Sequence, residues 1–249
     1  IKQVLDFLDQ GISISQVKPL LEQAPSQQQA APFAEAGEVW KRYQQTMLSA
    51  VEKFDENVLD STYNDALSLY PVDVVNQRLV APLLRIIGER WKEREVGIAE
   101  EHFFSVYLRN KLGARIHHLN QRSRGPLLIL ACLPGEYHEI GLLLFALATV
   151  NFGYRVLILG SNTPLDQIPH VLKKRPCDGI VLSGSARPSR GLFESELPVL
   201  VKQCPIPIFV GGRTAAKHQQ KIADAGAICL GESISSGLKS MGQRLKGGS

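Results

Sequence analysis

The stretch Leu127–Gly141, LLILACLPGEYHEIG, decides how the chain is read. Seven apolar residues run without a break and stop at Pro134 and Gly135. A short apolar run bounded by turn residues reads as a buried strand. After the turn comes His138 between Glu136 and Glu139, then Gly141, then a second and longer apolar run, LLLFALATV. The pattern is strand (Leu127–Leu133), turn, helix, with a histidine at the carboxyl end of the strand.

Four similar runs follow: RVLILG, DGIVLSG, IPIFVGG and AICLG. Helical patterns separate them. Five short apolar strands alternating with helices predict a parallel sheet covered on both faces. The expected fold of residues 125–246 is flavodoxin-like (Rossmann-like), with strand order 2-1-3-4-5. Ligands of such sheets sit outside the carboxyl ends of the strands, beside strand 1.

Residues 38–121 read differently. VVNQRLVAPLLRIIGERW and AEEHFFSVYLRNKLGARIHHL place apolar residues three and four apart. Pro71 and Pro82 punctuate this region and Gly97 breaks it, which predicts a four-helix bundle. The fold class is therefore α plus α/β. Residues 24–37, APSQQQAAPFAEAG, have no periodicity and read as a linker. Residues 1–23 read as two short helices, too small to bury a core. The chain does not begin with Met and reads as a trimmed piece.

Composition narrows the function. Hydrophobic content of 44% and charged content of 21% are ordinary for a folded domain. No run approaches the ~20 apolar residues that cross a bilayer, so no membrane partner is expected. A net charge of +4 does not by itself argue for nucleic acid. Cys132, Cys177, Cys204 and Cys229 have no CxxC spacing and read as reduced cysteines of a cytoplasmic protein.

The chemistry concentrates at His138. A neutral imidazole ligates a metal through one ring nitrogen, and the other needs an acceptor to hold the tautomer. Glu136 can supply it. Gly141 lets a large flat ligand approach the helix. Alone, this pattern also fits a solvent-exposed loop histidine. Ser183 and Ser185 end strand 3, and Gly211 with Gly212 ends strand 4, all at the same sheet edge. Forty-one residues separate Gly141 from Ser183, and twenty-five separate Ser185 from Gly211.

Glu136-x-His138-x-x-Gly141, Ser183-x-Ser185 and Gly211-Gly212 resemble, at nearly the same spacings, the motifs of cobalamin-binding domains. The resemblance implies that His138 replaces the cofactor's own base as lower cobalt ligand, with Glu136 behind it. It implies that Ser183 bonds the displaced nucleotide tail and that Gly211 and Gly212 line its channel. Glu136 stands where the family has Asp, and Ser185 where it has Leu or Thr.

Trp91, followed after nine residues by Glu101 and His102, is similar to the signature of the CarH/LitR family of light-sensing regulators. There a helical bundle caps adenosylcobalamin, the Trp packing on the adenosyl group and the Glu and His closing the pocket. LDQGISISQVKPLLE resembles the closing helices of a MerR-type DNA-binding domain. The resemblance implies a dark tetramer that holds operator DNA and dissociates in light. Lys92 stands where some members have a second cobalt-ligating His, so no bis-histidine photoproduct is expected. Three other readings share part of the pattern: a corrinoid shuttle protein, a mutase subunit, and a regulator of this type sensing another ligand.

Overall fold

The five apolar runs pair as one parallel sheet in the order β2-β1-β3-β4-β5, as expected. The computed structural model describes residues 30–90 and 96–246. The expected helices of residues 1–23 and Trp91 lie outside the described residues. Four helical rods come first: α1 (Ala30–Glu52), α2 (Glu56–Leu69), a third rod from Val72 to Arg90, and α5 (Gly97–Asn120). The third rod is α3 (Val72–Val75), a π-helical turn (Asn76–Val80) and α4 (Ala81–Arg90). Then come β1 (Leu127–Cys132), α6 (Ile140–Asn151), β2 (Arg155–Gly160), α7 (Ile168–Lys174), β3 (Gly179–Ser183), α8 (Leu197–Gln203) and β4 (Ile208–Gly211). The chain closes with α9 (Arg213–Lys217), α10 (Gln219–Asp224), β5 (Ile228–Gly231) and α11 (Ile234–Lys246).

Two compact units divide between Leu108 and Arg109. This falls inside α5, not in the 121–125 stretch where the sequence pattern changes. The end of α5 is tied to the sheet: the Asn120 amide donates to Val156 O (2.9 Å) and its oxygen accepts from Val156 N (2.8 Å). One side chain thus pairs both backbone groups of one residue on the edge strand β2, an otherwise open row of donors and acceptors.

The helical unit is built on the stripe Trp40, Tyr43, Met47, Ala50 and Val51 of α1, all at most 6% exposed. α1 packs on α2 and on the π-helical turn and α4. Trp40 and Tyr70 rings meet at 4.5 Å, and Tyr63 and Tyr107 meet edge to face at 6.4 Å. α1 starts at Ala30, inside the stretch expected to be a linker. Ala30, Ala31, Ala34, Glu35 and Ala36 are good helix formers, and Pro32 falls in the first turn, where its missing N–H costs nothing.

Pro82 does not end its helix. It lacks an N–H and its ring clashes with the carbonyl four residues back, that of Arg78. The chain widens into the π-helical turn just before it, and Gln44 Nε2 donates to Arg78 O at 2.8 Å. An α1 side chain therefore makes the irregular rod tolerable.

In the sheet unit all six residues of β1 are buried, as a central strand requires. Leu127, Ile129 and Ala131 share one face with Ile180, Leu182, Ile208 and Val210, covered by Leu192, Leu197 and Leu200. α6 packs against β1 and β2, with Leu142, Ala146 and Leu147 fully buried. Each such leucine contributes about 1.5–3 kcal/mol. All four cysteines are free thiols. No described helix is long and apolar enough to cross a membrane.

Candidate functional site

β1 ends at Cys132, and the loop to α6 is stapled to its neighbours by backbone bonds. Leu133 N donates to Ser183 O (2.9 Å), and Asn162 N donates to Glu136 O (2.7 Å). Gly135, at φ +78°, donates its N–H to Asn162 Oδ1 at 2.8 Å. Asn162 itself has φ +45°, a left-handed conformation that Asn tolerates better than most residues. The loop is thereby set between the ends of β2 and β3.

Glu136 is the anchor of the site and only 3% exposed. Its Oε1 accepts from the His138 backbone N–H and lies 2.8 Å from His138 Nδ1. Its Oε2 accepts from the Ser185 N–H, the Ser185 hydroxyl at 2.8 Å and the Ala186 N–H at 2.7 Å. Burial alone would raise this carboxyl. The backbone donors of His138, Ser185 and Ala186, with the Ser185 hydroxyl, outweigh it and bring it down to about 2. Glu136 is therefore ionised and can only accept, so Nδ1 of His138 donates to it, and in the neutral ring this leaves the lone pair on Nε2. The His138 side chain is 68% exposed. At the end of β1, burial pushes the Cys132 thiol up to about 12, with Glu136 and Glu139 adding to the shift, so it stays a neutral thiol.

The other expected residues fall around this core. Ser183 ends β3, paired with Cys132 on one side and Gly211 on the other. Gly141 opens α6; it is exposed, and a Cβ there would meet nothing within 4 Å. The two glycines after β4 differ. Gly212 has φ +89°, and its Cβ would lie 2.5 Å from Gly184 O. Gly211 would make only ordinary contacts at 3.8 Å. So Gly212 is demanded by the fold, and Gly211 is not.

The helical unit carries Glu101, half-buried, and His102, exposed, in the first turns of α5. Trp91 is not among the described residues. The sheet unit thus brings Glu136, His138 and Ser185 into direct contact, with Ser183, Gly211 and Gly212 along the same edge.

Several features around the expected residues were not legible in the sequence. Ser185 holds the carboxylate behind the histidine, a role that its place in the motif did not suggest. Gly184 was passed over, although its Cβ would meet Leu133 Cδ1 at 2.7 Å. Ile98, 57% exposed, lies three and four residues before Glu101 and His102 and shares their face. Glu100 is 4% exposed, so the buried carboxylate of this turn is the residue before the expected one. Helical spacing could have found Ile98; the other contacts are long-range and have no local signal.

The arrangement suits a soft or borderline metal carried on a large planar ligand. It offers one exposed imidazole of fixed tautomer, backed by a carboxylate, and a glycine with open space beside it. Among the described residues no group of three or more His, Cys, Asp or Glu could hold a bare ion. A single-imidazole site fits a metal that brings its own equatorial ligands, as a corrinoid does.

Comparison with known proteins agrees. Residues 43–116 match the family described as B12 binding domain. The chain is 33% identical to the HTH-type transcriptional repressor CarH of Myxococcus xanthus, over 88% of this chain and 75% of that protein. It is 28% identical to the HTH-type transcriptional repressor CarA of the same organism, over 88% of this chain and 72% of that one. The fold matches the monomethylamine corrinoid protein of Methanosarcina barkeri with a TM-score of 0.60 at 17% identity, covering 82% of this chain and 97% of that one.

Proposed function

The chain belongs to the CarH/LitR family of cobalamin-binding transcription regulators, and from that premise we propose that it senses light through adenosylcobalamin. It is a regulator and not an enzyme, as the two curated relatives are repressors. The observation that carries the reading is the Glu136–His138 pair: an imidazole held in one tautomer by a buried, ionised carboxylate.

His138 would hold the cobalt from below through Nε2. Glu136 orients the ring and raises its basicity, and Ser185 with Ala186 keeps the carboxylate in place. Ser183, Gly211 and Gly212 would line the path of the nucleotide tail, and Gly141 would leave room for the corrin ring. Trp91, Glu101 and His102 would enclose the adenosyl group, with Ile98 on the helix face of the last two. Bound adenosylcobalamin supplies a cobalt–carbon bond that light breaks. The helical unit would then lose the group its side chains pack on, and a ligand shifts an equilibrium only through such differential contact. The dark assembly, a tetramer in this reading, would bind operator DNA through a MerR-type domain and come apart in light.

The test is an absorbance spectrum of the chain with adenosylcobalamin before and after green light, paired with size-exclusion chromatography and light scattering. The expected result is a larger mass in the dark that falls on photolysis. An unchanged mass after complete photolysis would reject the assembly switch. Transfer of the methyl group from bound methylcobalamin to a methyltransferase's acceptor would favour the shuttle reading.

A further inference from the structure

Arg109 is the first residue of the sheet unit, and Glu139 directly follows the proposed cobalt ligand. The two form an ion pair, Arg109 Nε donating to Glu139 Oε1. Neither meets a counter-charge on its own helix. Ser105, Val106, Leu112 and Gly113, the helical neighbours of Arg109, carry no carboxylate, and Leu142 and Leu143 carry no cation. Glu139 stands at the N-cap of α6, where a short polar side chain ordinarily accepts from the first free N–H groups, yet its own makes no such bond. It turns instead over the end of β2: its Oε2 lies 3.4 Å from where a Cβ on Gly160 would stand. The Glu139 side chain is 16% exposed, against 52% for Arg109. A mostly buried carboxylate that leaves its own helix for a distant guanidinium is committed to that contact.

The C-terminal half of α5 is thus held to the sheet unit at two polar points. Asn120 is bonded to Val156 of β2, and Arg109 to Glu139, about 16 Å apart along the helix at 1.5 Å per residue. Leu112 and Ile116, 1% and 4% exposed, lie between them and add burial, which holds a helix down but is non-directional. One polar point is a pivot; two define an axis. α5 is a single helix from Gly97 to Asn120, so its axis at Arg109 sets the course of its first turns. Those turns carry Ile98 and His102, which recur with Arg109 at i, i+4 and i+11 on one face.

We propose that Arg109 is a positioning residue for the cofactor: through Glu139 it fixes α5 beside the His138 loop, and so sets where the upper-face residues of α5 stand when a corrinoid is bound. This role, which rests on the cobalamin reading of the site, makes Arg109 and Glu139 determinants of the upper ligand accepted, without either touching cobalt. An adenosyl group, which has a large surface to pack, feels the placement of α5; a methyl group does not.

The experiment titrates the full 249-residue chain with adenosylcobalamin and with methylcobalamin in the dark. Arg109→Gln and Glu139→Gln should each weaken adenosylcobalamin by about tenfold, within the range of coupling between residues in contact, and change methylcobalamin little. The double variant should lose no more than either single one, because each residue acts through the other. Arg109→Lys keeps the charge and should recover most of the loss. Lys221→Gln, which breaks the exposed pair with Glu194 at 2.9 Å, is the control and should change neither affinity. Hydrogen exchange on the cobalamin-free protein reads the same link without the cofactor: both single variants should quicken exchange in α5 and leave α1 unchanged. Equal losses for the two cofactors, additive losses in the double variant, native affinities, or exchange in α5 as slow as in the parent would each overturn the assignment. A parent chain that takes up neither cobalamin rejects the light-sensor reading itself, whereas a parent that binds both, with variants that match it, rejects only the link.

Discussion

Glu136 touches His138 with one carboxylate oxygen, 2.8 Å from Nδ1, and Ser185 with the other, 2.8 Å from its hydroxyl. The ring after β1 is thus oriented from Ser185, just past the end of β3 and 49 residues from Glu136 in sequence. A disturbance at either strand end reaches the imidazole through one buried group.

His138→Ala should leave the cobalt without a protein nitrogen, and the cofactor should return to its own base. The check is electron paramagnetic resonance of the cobalt(II) form in protein labelled with ¹⁵N-histidine. The native chain should show coupling to ¹⁵N, and the variant only to the cofactor's ¹⁴N. Retained ¹⁵N coupling in the variant would exclude His138 as the ligand.

Glu136→Gln keeps the shape but turns an acceptor into a donor facing the N–H groups of Ser185 and Ala186. A buried donor left against donors costs about 1–3 kcal/mol, which a thermal melt of the apoprotein will read. Cobalamin affinity should fall about 10–100-fold, as when a partner behind a metal ligand is lost. Ser185→Ala removes one of several donors and should cost less on both counts. A glutamine variant with native affinity would mean that the carboxylate does not orient the ligand.

The paired glycines after β4 should separate stability from binding. Gly212→Ala forces a side chain into a left-handed backbone against Gly184 O, and should destabilise the fold by about 1–3 kcal/mol or more. Gly211→Ala meets only ordinary contacts, so its melting temperature should stay near the native one while cobalamin affinity drops. If Gly211→Ala left affinity untouched, the tail path would not run there.

Trp91→Ala should weaken adenosylcobalamin more than methylcobalamin, because only the first has an adenosyl group to pack on. Truncating a large aromatic at a packed site costs about 3–5 kcal/mol, and the difference between the two titrations should approach that. Equal losses would remove Trp91 from the cap.

Gln44→Ala should cost the helical unit about 1 kcal/mol, since it strips the Arg78 carbonyl of its donor beside Pro82. A melt of the variant in a Pro82→Ala background should show a smaller loss, because an N–H at position 82 can then answer the same carbonyl.

The sequence by itself determined the architecture. Short unbroken apolar runs bounded by turn residues and helical runs with a period near 3.6 are local signals. Five of the first kind, separated by the second, leave a covered parallel sheet as the natural arrangement. The place of His138 at the end of β1, and Glu136 two residues before it, followed from the same pattern, since both belong to one short loop. Tertiary structure alone decided what lies far apart in the chain. Ser185 came to Glu136 because β3 pairs in register with β1, and register is set by the burial of whole strands, not by the residues that end up touching. Gly212 proved a requirement of the fold and Gly211 did not, because only one of them faces the Gly184 carbonyl. Pro82 stayed inside a helix because Gln44, on another rod, supplies the hydrogen bond that the proline cannot. Local propensity reports what a segment prefers when alone; packing supplies partners that no window of sequence contains.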